Sequence, residues 1–394
     1  MKQRPALAAF AGIFVVTMLG LLAVGATLPV LPRYVKGPIG STDLAVGWVS
    51  GAFAFTGLAF RPLAGHFADA RGRRLTVIIG ALLSALAGVL YFVPAGVPGL
   101  IVARLVLGAG EGMVFTAGSA WVVDLAPPER RGRMIGLYGL AIWSGLSLGP
   151  PIGELLLRAS SFETVWAFAA AAPLLGAVIA TRIPERFTRR APTQKRAPLL
   201  AREAVRPGLT LSLGVVGFAA VAAFLVLHLE QEGLGHGAET FAAFAATVVL
   251  VRLIGGDLPD RVGPVPCAIG SALLEAVGLA LIGLASSVPM AIAGAMIMGG
   301  AYSTLYPALA LLVVERVGED RRGVGLGTFT ASFDIGVGLG SPLLGAIAAA
   351  GGYSAAFYGA AVCALLAAAV AAFALPRGDP MTPPPGAGPA RVPI

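Results

Sequence analysis

Arg61, Arg104, Glu111, Glu154, Arg252, Glu275 and Asp334 all fall inside long apolar stretches of this sequence. A charge surrounded by hydrocarbon is costly, so such residues are kept for pairing, proton transfer or ligand contact. Glu and Asp bind and release protons, whereas Arg holds a carboxylate or another anion. Arg104 and Glu111 are seven positions apart, so on one helix they share a face and lie about 10 Å apart along the axis. Other reactive residue types form no such constellation. His66, His228 and His236 are scattered, and Cys267 and Cys363 lie 96 positions apart inside apolar stretches without metal-ligand spacing. With no Ser-His-Asp set, phosphate-cradling loop or sizeable soluble segment, no catalytic residue, metal or cofactor is assigned, and an enzyme is not expected.

The elements that must position these charges are membrane helices. The chain has 394 residues, 57% hydrophobic and 12% charged. Soluble domains carry about 25% charged residues, so the solvent of this chain must be largely lipid. Its 54 glycines suit helices whose backbones approach closely. A span needs about 20 apolar residues. Twelve stretches qualify: 6–31, 43–67, 75–95, 97–123, 134–157, 162–181, 208–229, 239–256, 265–285, 288–314, 324–350 and 353–375. The first is too long for a signal peptide and is read as a retained span. The expected fold is all-α integral membrane, twelve transmembrane helices in two pseudo-symmetric six-helix bundles. Its expected partner is the bilayer, and it is expected to act as a monomer.

Lys and Arg set the sides. With the termini inside, the inner segments hold 22 basic residues, and the outer loops hold Arg33, Lys36 and Arg158. Both termini are therefore expected in the cytoplasm and the chain in the plasma (inner) membrane. Topology explains the formal charge of +8, and no aromatic-and-basic groove pattern points to nucleic acid. The expected organisation is a bundle over 1–182, a basic cytoplasmic linker over 183–207, a second bundle over 208–375 and a Pro-rich tail over 376–394, whose composition predicts disorder. The linker is either a solvated connection or a contact for anionic lipid.

An internal repeat runs at an offset of 191. Arg61, Gly65, Asp69 and Gly72 return as Arg252, Gly256, Asp260 and Gly263. Arg131, Gly132, Gly136, Gly145, Gly149 and Pro151 return as Arg322, Gly323, Gly327, Gly336, Gly340 and Pro342, and Asp124 meets Glu315. No gap is needed from 61 to 151. Two parallel repeats of six spans predict halves related by an axis along the membrane normal, the arrangement of transporters that rock around a central site.

These motifs resemble the major facilitator superfamily over nearly the whole chain. The loop Gly65-His66-Phe67-Ala68-Asp69-Ala70-Arg71-Gly72-Arg73-Arg74 is similar to the inner-loop signature of that family. The resemblance implies that Asp69 latches onto the start of span eleven and that Arg73 reaches Asp124, holding an outward-open state, while Gly65 permits close helix approach. The second copy keeps Asp260 and Arg261 but has Pro264 in place of Arg73, which predicts a weaker latch. Arg104 to Gly110 is similar to the family's intramembrane Arg signature. Gly145, Gly149, Pro150 and Gly153 are similar to the signature of its proton-coupled exporter branch; glycines at this spacing also form a ridge for simple helix packing.

Disagreement between the halves selects further candidates. Charges present in both, Arg61/Arg252 and Asp124/Glu315, read as scaffold. Those present in one are Arg104 (counterpart Ala295), Glu111 (Tyr302), Glu154 (Gly345) and Asp334 (Trp143). Arg104 and Glu154 fall in the outer third of consecutive helices, where they are expected to pair, either functionally or as a purely structural ion pair. Asp334 either carries a proton or bonds backbone beside Gly336. Glu275 (counterpart Ser84) is expected to make a local hydrogen bond, and Trp143, Tyr302, Thr304 and Tyr306 are candidate cavity residues. The expected function is proton-coupled export of small organic molecules by alternating access. The alternatives are a proton-coupled uptake symporter for a sugar, organic acid or nucleobase, and, more remotely, a transporter-like sensor.

Overall fold

A computed structural model of the chain describes residues 3–126, 131–185, 200–317 and 321–375. The tail over 376–394 and most of the linker expected over 183–207 lie outside the described residues. Every regular element among the described residues is helical. In hydrocarbon no water can satisfy the backbone, so each apolar segment must close its hydrogen bonds within itself.

The first six crossings are α1 (Gln3–Thr27) with its continuation α2 (Val30–Lys36), α3 (Asp43–Arg71), α4 (Arg73–Leu90), α5 (Gly96–Leu125), α6 (Arg131–Ala159) and α7 (Phe162–Arg182). The second set is α8 (Val205–Gln231), α9 (Gly237–Ile254) with the short α10 (Leu258–Val262), α11 (Pro264–Gly283), α12 (Val288–Arg316) and α13 (Arg322–Ala374). Eleven helices among the described residues are long and apolar enough to cross a membrane. The last contains two crossings, because Gly352 breaks it at φ 81° and ψ 175°, giving twelve in all.

The repeat persists in three dimensions. The helices α11, α12 and α13 begin within one residue of 191 positions after α4, α5 and α6. Between α3 and α4, Gly72 turns the chain at φ 105° and ψ 153°; between α10 and α11, Gly263 does so at φ 96° and ψ 147°. Positive φ of this kind is open to glycine and strained for other residues.

Small residues set the packing, as lipid offers no hydrophobic force between helices. A Cβ on Gly145 would lie 2.7 Å from the Met18 carbonyl oxygen, and one on Gly149 would lie 2.6 Å from the Gly25 backbone. Gly153 presses on Ala26 in the same way, so the ridge of α6 seats directly on α1, with Pro150 buried inside the helix. Gly336 does the same for α13 on α8, at 2.5 Å from the Ser212 carbonyl oxygen.

Between the halves, α3 runs against α13 from Gly47, beside Ser341, to Arg61, beside Asp334. Cross-half polar contacts cluster at the end bearing Arg33. There Arg33 Nε lies 2.5 Å from Glu230, Arg158 Nη2 lies 3.9 Å from Glu239, and the Tyr353 hydroxyl donates to Asp43 at 2.8 Å. At the opposite end, which bears Gly72, a Cβ on Gly65 would meet only Thr116, at 4.0 Å. The close helix approach expected at Gly65 is absent in this state, in which the halves meet at the Arg33 end.

Candidate functional site

Arg61 and Gly72 are eleven residues apart, which places the guanidinium helix position about 16 Å from the loop, mid-depth in a core roughly 30 Å thick. From α3 it forms a two-pronged pair with Asp334 of α13: Nε to Oδ2 at 2.8 Å and Nη2 to Oδ1 at 3.0 Å. Asp334 is 3% exposed and Arg61 also stacks on Phe115, 4.9 Å from the ring centre. A bidentate geometry of this kind is the strong form of the interaction. Arg61, read from the repeat as scaffold, is therefore half of a bridge between the bundles. Its copy Arg252 has another environment, because a shared residue type does not impose shared partners.

Two more carboxyls lie inside the bundles. Glu111 of α5 is half-buried and accepts from the Ser84 hydroxyl of α4 at 3.0 Å, with Gly20 of α1 beside it. The helices α4 and α5 meet there through Gly80 and Gly110, where a Cβ on Gly110 would lie 2.6 Å from Gly80. Glu275 of α11 is 0% exposed, and neither of its oxygens has a hydrogen-bond partner. The local hydrogen bond expected for it does not form, since α8 presents only the bare backbone of Gly214 and Gly217 at that point. The repeat relates Ser84 to Glu275 and Glu111 to Tyr302. Each half thus carries one carboxyl at the same helix junction, on α5 in the first half and on the neighbour of α12 in the second.

Tyr302 of α12 stands in an aromatic cluster that crosses the bundle interface. Its ring centre is 5.4 Å from Trp143 of α6, 5.7 Å from Phe218 of α8 and 5.9 Å from Phe244 of α9. Thr304 instead bonds Ser271 of α11 at 2.7 Å, and the Tyr306 hydroxyl is 3.3 Å from Thr330. Arg252 of α9 donates to the Ser303 carbonyl at 3.4 Å, and its Nε has no partner.

Two expected members lie elsewhere. Arg104, 1% exposed, donates to the carbonyls of Val49 and Ser50 at 3.1 and 3.0 Å and covers Phe53 at 4.8 Å, so it ties α5 to α3. Glu154 is held at the Arg33 end by Arg33 and by Arg158, the latter at 2.6 Å. The two do not pair with each other: Arg104 is held by carbonyls of α3 and Glu154 by Arg33 and Arg158.

In the first loop, Arg73 lies 2.6 Å from Asp69 and 3.3 Å from Asp124. The docking of Asp69 on the start of span eleven would fall at residues 318–323, of which 318–320 lie outside the described residues. Glu185, unassigned from sequence, accepts from the backbone N–H groups of Arg73 at 2.5 Å and Arg74 at 3.2 Å. A carboxylate there satisfies orphan donors at the start of α4. In the second loop Arg261 pairs only with Asp257 of its own turn among the described residues. A groove of about 520 Å³ flanks α3 at this end, lined by Leu63, His66, Phe67 and Arg71 among others, and does not include the central acids.

Ser84, Arg33, Glu230 and Glu185 are not legible in the sequence as partners of the site charges, with one exception. Ser84 was detectable, because the repeat fails at both Ser84/Glu275 and Glu111/Tyr302, on adjacent helices. The others were not, because their partners come from other helices.

The Major Facilitator Superfamily model matches residues 13–264 and 238–393. The chain is 33% identical over 362 residues to an uncharacterized MFS-type transporter of Salmonella typhimurium, covering 89% of this chain and 92% of that protein. It is 31% identical over 357 residues to one from Burkholderia mallei, covering 88% and 87%. Among solved structures, a mutant form of the nucleoside transporter NupG superposes with a TM-score of 0.79 at 13% identity, covering 92% of this chain and 99% of that one. The human organic anion transporter MFSD10 gives 0.72 at 19% identity, covering 93% and 99%. At these identities the structural likeness speaks for the fold.

Proposed function

We infer the function from one premise: this chain belongs to the major facilitator superfamily, and it is a multi-pass membrane transporter of that family. On that footing we propose that it is a proton-coupled exporter of small organic molecules working by alternating access, with the basic Gly72 end in the cytoplasm of a cell whose plasma membrane it spans. The observation that carries this reading is the Arg61–Asp334 pair, which joins the two halves at mid-depth.

Alternating access requires the halves to rock, and α3 and α13 are the helices that must slide or part. Their ion pair lies just where the closed stretch beginning at Gly47 ends. An ionised Asp334 holds Arg61; a protonated one accepts only as a neutral group and loses most of that attraction. Proton binding from outside would thus favour one arrangement of the halves and proton release to the cytoplasm the other. In the present state the pair is made and the Arg33 end is sealed, the condition expected after release of the proton inward. Glu111, half-buried beside Ser84, is the second carboxyl placed to exchange a proton or meet cargo.

The test uses the full-length protein in liposomes and in cells stripped of their own exporters. Cargo should leave cells that express it, and an imposed proton gradient should move cargo against the direction of the proton. Accumulation of cargo along the proton gradient would overturn export in favour of uptake. Gradient-independent movement would overturn proton coupling.

A further inference from the structure

The repeat places an anion on one side of the molecule and omits it on the other. Arg61 and Arg252 are 191 positions apart, and so are Trp143 and Asp334. In one bundle interface, α3 against α13, Arg61 is neutralised by Asp334 at 2.8 and 3.0 Å. In the equivalent interface, α9 against α6, the place of Asp334 belongs to Trp143. Arg252 has no carboxylate partner among the described residues; it reaches one carbonyl at 3.4 Å, and its Nε is unpartnered and buried. A guanidinium held at this depth without a counter-charge is expensive unless something else supplies the charge.

The surroundings describe what would supply it. A Cβ on Gly139 of α6 would meet only the Arg252 Nη1 group, at 3.6 Å, so the helix that faces the guanidinium presents a glycine there and no counter-charge. One turn along α6 from Gly139 stands Trp143, with Tyr302 at 5.4 Å and Phe218 and Phe244 each at 6.2 Å. A cation beside a wall of ring faces and edges is the complement of a carboxylate attached to an aromatic body.

We propose that Arg252 is the recognition point for cargo and that the cargo is a small aromatic carboxylate, which gives Arg252 the charge that Asp334 gives Arg61. This deepens the transport reading and rests on it. It also places the cargo on Arg252 and the proton on Asp334, the partner of the symmetry-related Arg61, so that the two ligands bias the two interfaces of the same pair of bundles.

Equilibrium binding to the full chain in lipid nanodiscs tests this without any gradient. The probes are radiolabelled benzoate, 4-hydroxybenzoate and indole-3-acetate at about pH 7.5, where carboxylic acids are ionised, with the corresponding amides as competitors. At least one acid should bind saturably, and its amide should fail to compete. Arg252→Gln should weaken binding roughly tenfold or more, as expected when a charged hydrogen-bond partner is removed, and Arg252→Lys should recover part of it. Trp143→Asp should abolish binding by placing an internal carboxylate on Arg252. No saturable binding of any of the three acids, equal competition by the amides, or binding within about twofold of the unmodified protein in Arg252→Gln would overturn the proposal. If Trp143→Asp fails to fold, the Gln and Lys variants decide alone. Binding without transport in either direction would sink the transport reading and leave this site standing. Proton-coupled export of neutral or cationic cargo without carboxylate binding would sink this site alone.

Discussion

Arg61 and Asp334, 273 positions apart, face each other across the two bundles with both prongs of the guanidinium engaged, at 2.8 and 3.0 Å. No other ion pair among the described residues joins the halves away from the Arg33 end. Breaking a buried pair by removing one partner costs about 3–5 kcal/mol, because the survivor is left uncompensated. Arg61→Gln should therefore lower thermal stability more than the double variant Arg61→Gln with Asp334→Asn, measured by a thermal shift in detergent. Asp334→Asn should make transport independent of pH between about pH 5 and 8, since an amide takes up no proton in that range. Ordinary pH dependence in that variant would move the coupling site elsewhere.

The seal at the Arg33 end depends on a second set of charges. Arg33 is shared between Glu154 of its own half and Glu230 of the other, at 2.5 Å from the latter. Glu230→Gln should weaken closure of that end. In a background with Cys267 and Cys363 replaced, a cysteine at Ala54, buried between α3 and α13, should become several-fold more reactive to an impermeant thiol reagent. The partly exposed geometry limits the effect to about 1 kcal/mol, and unchanged reactivity would show that helix packing alone keeps the end shut.

Two glycines separate packing from motion. Gly149 lies against the Gly25 backbone, where a Cβ would sit at 2.6 Å, whereas Gly65 has only Thr116 at 4.0 Å. Gly149→Ala should destabilise the protein by about 1–3 kcal/mol through overpacking. Gly65→Ala should leave stability unchanged and yet slow turnover if the opposite state brings a helix against this face. Equal melting temperatures for both variants would contradict the packing assigned to α6 on α1.

The two helix-junction carboxyls should respond differently to amidation. Glu275 is fully buried with no hydrogen bond to lose, and ionisation there is costly, so Glu275→Gln should not lower the melting temperature. Glu111 accepts from Ser84 at 3.0 Å, and Ser84→Ala should cost about 1 kcal/mol. Thermal melting of Glu275→Gln and Ser84→Ala, with pH–rate profiles for both and for Glu111→Gln, separates a structural role from a proton-carrying one. A flat profile in Glu111→Gln alone would transfer the coupling role from Asp334 to Glu111.

Span number, repeat and class were legible from sequence because each follows from local rules. About 20 apolar residues must form a helix in lipid, and Gly72 and Gly263 return at a fixed offset because both turn the chain at positive φ. The packing ridge of Gly145, Gly149 and Gly153 was equally readable, since glycines four apart on a helix present one smooth face.

Comparing the halves was less reliable for charges. It singled out Asp334 and Glu111 but dismissed Arg61, grouped Arg104 with Glu154, and set aside Glu275. The repeat compares residue types at equivalent places, while an ion pair depends on which helix stands opposite and how its side chains reach. Arg104 meets carbonyls of α3, and Glu154 meets Arg33. The sequence by itself determined a twelve-crossing, two-half membrane protein of the major facilitator type. Only the tertiary structure decided that Arg61 finds Asp334 while Arg252 finds no acid among the described residues, because partners far apart in sequence are chosen by the crossing of α3 with α13 and of α9 with α6, which no local pattern encodes.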